Sequence, residues 1–446
     1  MNTNKSMTEG PLTSKILWYA IPLALTAILQ QLFNAADVAI IGQFVGTEAM
    51  AAVGANSSLI SLFVNLFVGI SLGTNVVIAQ AIGQENNSTV RKAVHTSIYI
   101  AIFGGLFMLV LGELCAPKVL SMMSVPENVF PLALKYLRIY LLGMPVIFLY
   151  NFEAAIYRAR GNTKTPLAAL TLSGIVNVLL NLFCVVILHM SVEGVAIATA
   201  IANLVSSSIL FILLTKSEDI IQISFSDLKI DWSILKRILQ IGLPSGIQSA
   251  VFSVANVIVQ SAINSLGSII IAASSAAFNL EIFAYYVMNS FGQACTTFVG
   301  QNYGAGKLDR CKKTFVRSVL LAILFTFSSI LGILFFGKDL LAFFNSDPQV
   351  IEFGYHRLMI IFFAYIFSIW QEMGSGYLRG FGLSMWPAVI ALVGICTTRI
   401  LWVLLVFPKS PTFSTIMLIY PISLGIVGLA TMIAVFILNP AKKKKN

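Results

Sequence analysis

Apolar residues fall into long uninterrupted runs separated by short polar segments, with spans at about 16–41, 49–80, 93–115, 134–157, 167–188, 194–215, 234–263, 269–299, 315–336, 356–378, 386–407 and 416–438. A run of roughly 20 apolar residues is long enough to cross a hydrocarbon core about 30 Å thick. The pattern therefore predicts an all-α integral membrane protein of twelve transmembrane helices. Spans 49–80 and 269–299 are longer than a perpendicular helix needs and are expected to tilt or project past the bilayer. The first run is too long for a signal-peptide core and ends without an A-x-A pattern, so it reads as an uncleaved span.

The runs repeat. Pro22 recurs as Pro244 and Asn34 as Asn256, each 222 residues on. Gly83-Gln84 recurs as Gly300-Gln301, 217 on, and basic residues follow both copies. Tyr136-x-Arg138 recurs as Tyr355-x-Arg357, Glu153 as Glu372 and Arg160-Gly161 as Arg379-Gly380, all 219 on, while Pro166 recurs as Pro387, 221 on. Ordered matches at nearly constant offset mark a duplication. Six spans per half return the chain to its starting side, so both halves point the same way. Two six-helix bundles are expected, related by a pseudo-twofold axis along the membrane normal, with a cavity between them. The expected divisions are an N-lobe over 1–215, a cytoplasmic linker over 216–233 and a C-lobe over 234–446. Glu218, Asp219, Asp227, Lys229 and Asp231 give the linker its polar character.

Charge fixes the orientation. Inner segments carry 21 Lys and Arg residues and outer segments 6, with Arg357 counted among the outer ones and Arg399 inside the eleventh span. Both termini are therefore expected on the cytoplasmic side of the cell membrane. The net charge of +10 does not imply nucleic acid, because the basic residues sit in short loops and form no continuous face. The tail Lys442 to Lys445 is expected to contact anionic lipid. Charged residues make up only 10% of the chain, against roughly 25% in a soluble protein. The five cysteines are scattered and indicate neither a metal site nor a disulfide framework. Gly300 to Lys307 misses the phosphate-loop spacing, and no H-E-x-x-H occurs. No enzyme signature, no nucleotide site and no cofactor are indicated, so an ion gradient is the expected source of energy.

Acids inside apolar runs are functional candidates, since an unpartnered one costs on the order of 2.5–3.5 kcal/mol at mid-bilayer. They are Asp37, Glu153, Glu281 and Glu372. Asp37 follows Gln30 and Asn34 at helical steps, which makes a polar stripe and a candidate ion or proton site. Asn177 and Asn181 share a face of the fifth span, and Thr199 and Asn203 share one of the sixth. Glu281 stands four residues before Tyr285, an arrangement suited either to an organic cation or to pairing with a neighbouring helix. Glu153 and Glu372 each precede an Arg-Gly by seven residues. Two helical turns rise about 10.5 Å, too far for a direct pair within one straight helix, so a structural role at the inner gate is expected.

The duplication, Pro22 with Asn34-x-x-Asp37, the Gly-Gln loops, Arg160-Gly161-Asn162-Thr163-Lys164-Thr165-Pro166 and Gly194-Val195-Ala196-Ile197-Ala198-Thr199 together resemble the multidrug and toxic compound extrusion (MATE) transporters. The resemblance covers essentially the whole chain. It implies a monomeric exporter of organic, often cationic, drugs driven by sodium or proton entry. It also implies a cation or proton site of Asp37, Asn177, Asn181 and Thr199, which would hold the sodium ion if sodium is the coupling ion. Gln30, Asn34, Glu281 and Tyr285 are the candidate cavity residues. Family members with a Glu on helix seven and an Asp on helix ten align with Phe252 and Ser368 here, which argues against a second cation site of that kind and leaves Glu281 as its partial replacement. The alternative readings are a flippase or exporter of a lipid-linked or amphipathic metabolite, and a permease subunit served by a separate ATPase.

Overall fold

The computed structural model describes residues 7–123, 125–227 and 229–442. Lys5 and the tail from Lys443 lie outside the described residues. The described residues form helices and no strands. Twelve segments are labelled here: α1 Leu12–Phe44, α2 Thr47–Gly83, α3 Asn87–Met122, α4 Phe130–Leu142 with Met144–Arg160, α5 Lys164–Ile187, α6 Val192–Thr215, α7 Trp232–Asn264, α8 Ser268–Gly304, α9 Leu308–Phe335, α10 Pro348–Gly380, α11 Met385–Lys409 and α12 Phe413–Leu438. Eleven are long and apolar enough to cross a membrane, and α4, bent by 48°, makes twelve if its two parts form one span.

Helices of 33 to 37 residues, such as α1 and α2, exceed the span of a bilayer core, since 1.5 Å per residue gives about 50–55 Å. Large apolar side chains stand exposed on the long helices. On α3, Phe103, Phe107, Val110 and Leu114 are 58–77% exposed at steps of three and four, an outward stripe suited to lipid. The bend in α4 falls at Gly143, two residues before Pro145. Proline removes the amide that would bond back to the preceding turn. Gly105 lies against the Pro145 backbone, where a Cβ would not fit.

The chain divides into two compact units. One runs from Leu25 to Gly242; the other joins the residues up to Ala24 with those from Leu243 onward. These divisions differ from the linker-based division expected from sequence, because α1 and α7 each give their first turns to one unit and the remainder to the other. Pro22 and Pro244 lie within two residues of those crossings.

In the Leu25–Gly242 unit, Gly73 and Gly242 bring the backbones of α2 and α7 into direct apposition. The linker docks on α3, with the Ser224 amide donating to His95 Nε2 and the Asp231 amide to Thr96 Oγ1, both at 3.1 Å. The Asp231 carboxylate then accepts from the Ile234 amide at the start of α7 and faces Lys92 Nζ at 3.1 Å. The Ile234 amide, aided by Lys92, holds this carboxyl below its ordinary range. In the other unit, Arg310 on α9 and Asn302 on α8 donate to the Met7 carbonyl, and Arg310 also reaches the carbonyls of Glu9 and Gly10. Tyr19 on α1 bonds Thr297 at 3.0 Å and meets Phe298 edge to face.

Candidate functional site

Asp37 is 7% exposed on α1, within the Leu25–Gly242 unit. Asn181 Nδ2 donates to its Oδ1 at 2.5 Å, and Thr199 Oγ1 lies 3.3 Å from its Oδ2. Asn181 also donates to Asn177 Oδ1 at 3.3 Å, and Asn177 Nδ2 to Thr199 Oγ1 at 3.4 Å. Thr199 Oγ1 lies 2.9 Å from the Val195 carbonyl. One hydroxyl proton cannot serve both that carbonyl and Asp37. Asn181 Oδ1 is buried without a partner among the described residues. The spacing of four on α5 produces this, stacking two amides one turn apart beside α1 and α6.

The cluster thus holds a carboxylate, two amide oxygens and a hydroxyl, with no ion pair to Asp37 among the described residues. Oxygen ligands of this kind suit a hard cation such as sodium, and the carboxylate alone can carry a proton. Gln30 and Asn34 do not join it; both are exposed and neither is hydrogen-bonded to Asp37. Asn203 donates to the Thr199 carbonyl at 2.8 Å.

The acids of the other half are occupied differently. Glu281 accepts from Arg357 Nε at 2.7 Å and Nη2 at 3.1 Å, a buried bidentate pair with side chains 8% and 4% exposed. Its charge is thereby compensated, and Tyr285, 42% exposed, packs beside Tyr286. Of the two alternatives for Glu281, the structure realises pairing with a neighbouring helix. Arg357, counted with the outer basic residues on sequence, is buried within α10. Glu372 corrects a second expectation, since Arg379 Nη2 reaches its Oε1 at 3.1 Å across seven residues of the same helix. The long side chain runs back toward the helix N-terminus, its Nε donating to the Ser375 carbonyl, and so bridges the rise. The repeat-equivalent Glu153 accepts from Ser207 at 3.0 Å, its other oxygen buried without a partner among the described residues. Arg160 turns instead to Asp219 at 2.8 Å.

Phe252 is half-buried and Ser368 buried. Arg399 is a residue that sequence reasoning left aside. It is 3% exposed on α11, donating from Nη1 to Asn256 Oδ1 at 2.6 Å and from Nε to Ser423 Oγ at 3.3 Å. Its signal was the rarity of an arginine inside an apolar run.

The sequence profile of the MatE family matches this chain twice, over residues 22–183 and 244–404. The chain belongs to the MatE family. The two matches fall on the two halves of the duplication, and the family's members are transporters, not enzymes. Among its relatives is the probable multidrug resistance protein YoeA of Bacillus subtilis, 28% identical over 84% of this chain and 83% of that protein. The probable multidrug resistance protein NorM of Thermotoga maritima is 27% identical over 86% and 84%. An outward-facing multidrug resistance MATE family transporter of known structure, 20% identical, superposes over 100% of both chains with a TM-score of 0.91 and shares the fold. This MatE chain is thus a multi-pass membrane protein of a multidrug efflux family.

Proposed function

We propose that this chain is an antiporter that exports organic, often cationic, compounds by alternating access, driven by sodium or protons entering at Asp37. It works as a monomer in the cell membrane with both termini cytoplasmic, a reading supported by the basic bias of the inner loops. The observation that carries the coupling site is the Asp37 carboxylate, buried among neutral side chains with an unpartnered amide oxygen beside it. With Asn181 Nδ2 toward Asp37, the pair is a hydrogen bond. With Oδ1 turned in, the amide adds an oxygen ligand for sodium. Protonation discharges the same carboxylate. Either event removes the buried negative charge, and the state that binds cargo changes with it. Each charge crossing 100 mV supplies about 2.3 kcal/mol, enough for a roughly 50-fold gradient.

The test is uptake of a fluorescent organic cation into proteoliposomes under an imposed sodium or proton gradient. Native protein should respond to one of the two, and Asp37→Asn should reduce gradient-driven uptake to the level of empty liposomes at normal expression. Native rate and native ion dependence in Asp37→Asn would put the coupling site elsewhere.

A further inference from the structure

The cluster around Arg399 stands in the C-terminal half where the Asp37 cluster stands in the N-terminal half. Asp37, Asn177 and Thr199 come from α1, α5 and α6; Asn256, Arg399 and Ser423 come from α7, α11 and α12, the same helices one repeat later. Asn256 repeats Asn34 at 222 residues. Pro387 repeats Pro166 at 221, but the π-helical turn Leu392–Thr397 of α11 adds a residue that the α-helical stretch between Pro166 and Asn177 lacks. The offset past that turn becomes 222, which pairs Asn177 with Arg399. The acid has no counterpart, because the residue 222 after Asp37 is Val259. Polarity is therefore inverted: one half offers a carboxylate among neutral groups, the other a guanidinium among neutral groups.

Nothing described compensates this guanidinium. Arg357 is matched by Glu281, whereas Arg399 meets only the oxygens of Asn256 and Ser423 and the ring of Tyr420, 5.0 Å away. Arg357 lies 5.3 Å from the same ring, so two guanidinium groups meet it and only that of Arg357 has an acid partner among the described residues. Arg399 Nη2 has no hydrogen-bond partner among the described residues. A buried arginine is costly and ordinarily paired, and its planar fork fits the two oxygens of a carboxylate. Asn256, which caps Nη1, is exposed, so one amide separates the fork from an arriving group.

We propose that Arg399, with Asn256 and Ser423, is a binding site for an anionic oxygen group, a carboxylate carried by the exported organic molecule. The proposal rests on the reading of the chain as an exporter and adds that cargo with such a group is preferred. The carboxylate takes Nη2 and displaces Asn256 from Nη1, while Ser423 keeps Nε in place.

The test is equilibrium binding, by fluorescence polarisation, of a rhodamine dye with a free carboxylate and of its methyl ester to the purified full chain. No gradient is applied, so the outcome does not depend on whether Asp37 couples an ion. The carboxylate form should bind about tenfold more tightly, the worth of a charge-assisted hydrogen bond. Arg399→Gln should abolish that preference, and Arg399→Lys, which keeps the charge without the fork, should retain part of it. Equal affinity for the two dyes, including no measurable binding of either, overturns the proposal. So does a preference that survives in a monodisperse Arg399→Gln protein. If phosphatidylglycerol micelles, but not phosphatidylcholine micelles, compete with the carboxylate dye in an Arg399-dependent way, the site holds a lipid phosphate and the assignment to cargo fails.

Discussion

The two halves of this chain solve the problem of a buried acid in opposite ways. In the C-terminal half, Glu281 and Glu372 hold guanidinium groups, Arg357 and Arg379. In the N-terminal half, Asp37 and Glu153 hold only amide and hydroxyl groups. Buried arginines occur, among the described residues, only in the C-terminal half. A paired acid has its charge fixed, because ionisation and pairing support one another. An acid among neutral groups can change charge by taking up a proton or a cation. Duplication thus supplied two scaffolds, and side-chain choice set the buried acids of one against guanidinium groups and those of the other among neutral groups.

The largest effect expected from this difference is on stability. Arg357→Ala leaves Glu281 buried without its partner and should cost about 3–5 kcal/mol, read as a lower melting temperature in detergent. Replacing both residues by leucine should recover most of that loss, since an apolar pair leaves no buried charge. Asp37→Asn, which removes a charge that no basic group compensates, should melt within about 1 kcal/mol of the native protein. Equal destabilisation by Arg357→Ala and Asp37→Asn would erase the distinction between the halves.

A smaller effect belongs to the neutral groups around Asp37. Asn177→Ala and Thr199→Ala each remove one oxygen from the cluster and should weaken the coupling ion about tenfold, or about 1.4 kcal/mol. The readout is a shift in the midpoint of the sodium or pH dependence of uptake, with the maximal rate largely kept. An unchanged midpoint in both variants would remove them from the ion site.

The smallest effect is at the half-buried Arg160–Asp219 pair. Arg160 and Asp219 are 24% and 29% exposed, so Arg160→Gln should cost at most about 1 kcal/mol in a thermal melt. Arg379→Gln, at the repeat-equivalent position, strips a buried acid and should cost more. Equal losses would mean that the halves are balanced alike.

The helices and the duplication were legible because hydropathy runs and residue offsets are local features. Asp37, Asn177, Asn181 and Thr199 were nameable through intramembrane polarity, helical spacing and family resemblance, and the fold brings them together. Gln30 and Asn34 share a helix face with Asp37 but not its hydrogen bonds, because a shared face does not ensure a neighbour at every level. Gln30 lies about two turns from Asp37 along α1, and the hydrogen bonds from α5 and α6 come only at Asp37. The Glu372–Arg379 pair was missed because backbone rise does not measure the reach of an arginine. Arg357 was misplaced because α10 starts at Pro348, well before its apolar run, and carries the residue into the interior. Which acid meets which arginine is a tertiary fact, and spacing along one helix does not encode it.

The most direct test of a responsive N-terminal half and a fixed C-terminal half is the cation released when a fluorescent organic cation saturates the purified chain. A pH dye would follow protons and a sodium electrode sodium. Native protein should release one of the two in proportion to bound cargo. Asp37→Asn should release neither, while the double leucine replacement at Glu281 and Arg357 should release the native amount. Native release from Asp37→Asn, or its loss in the double leucine variant, would contradict the account.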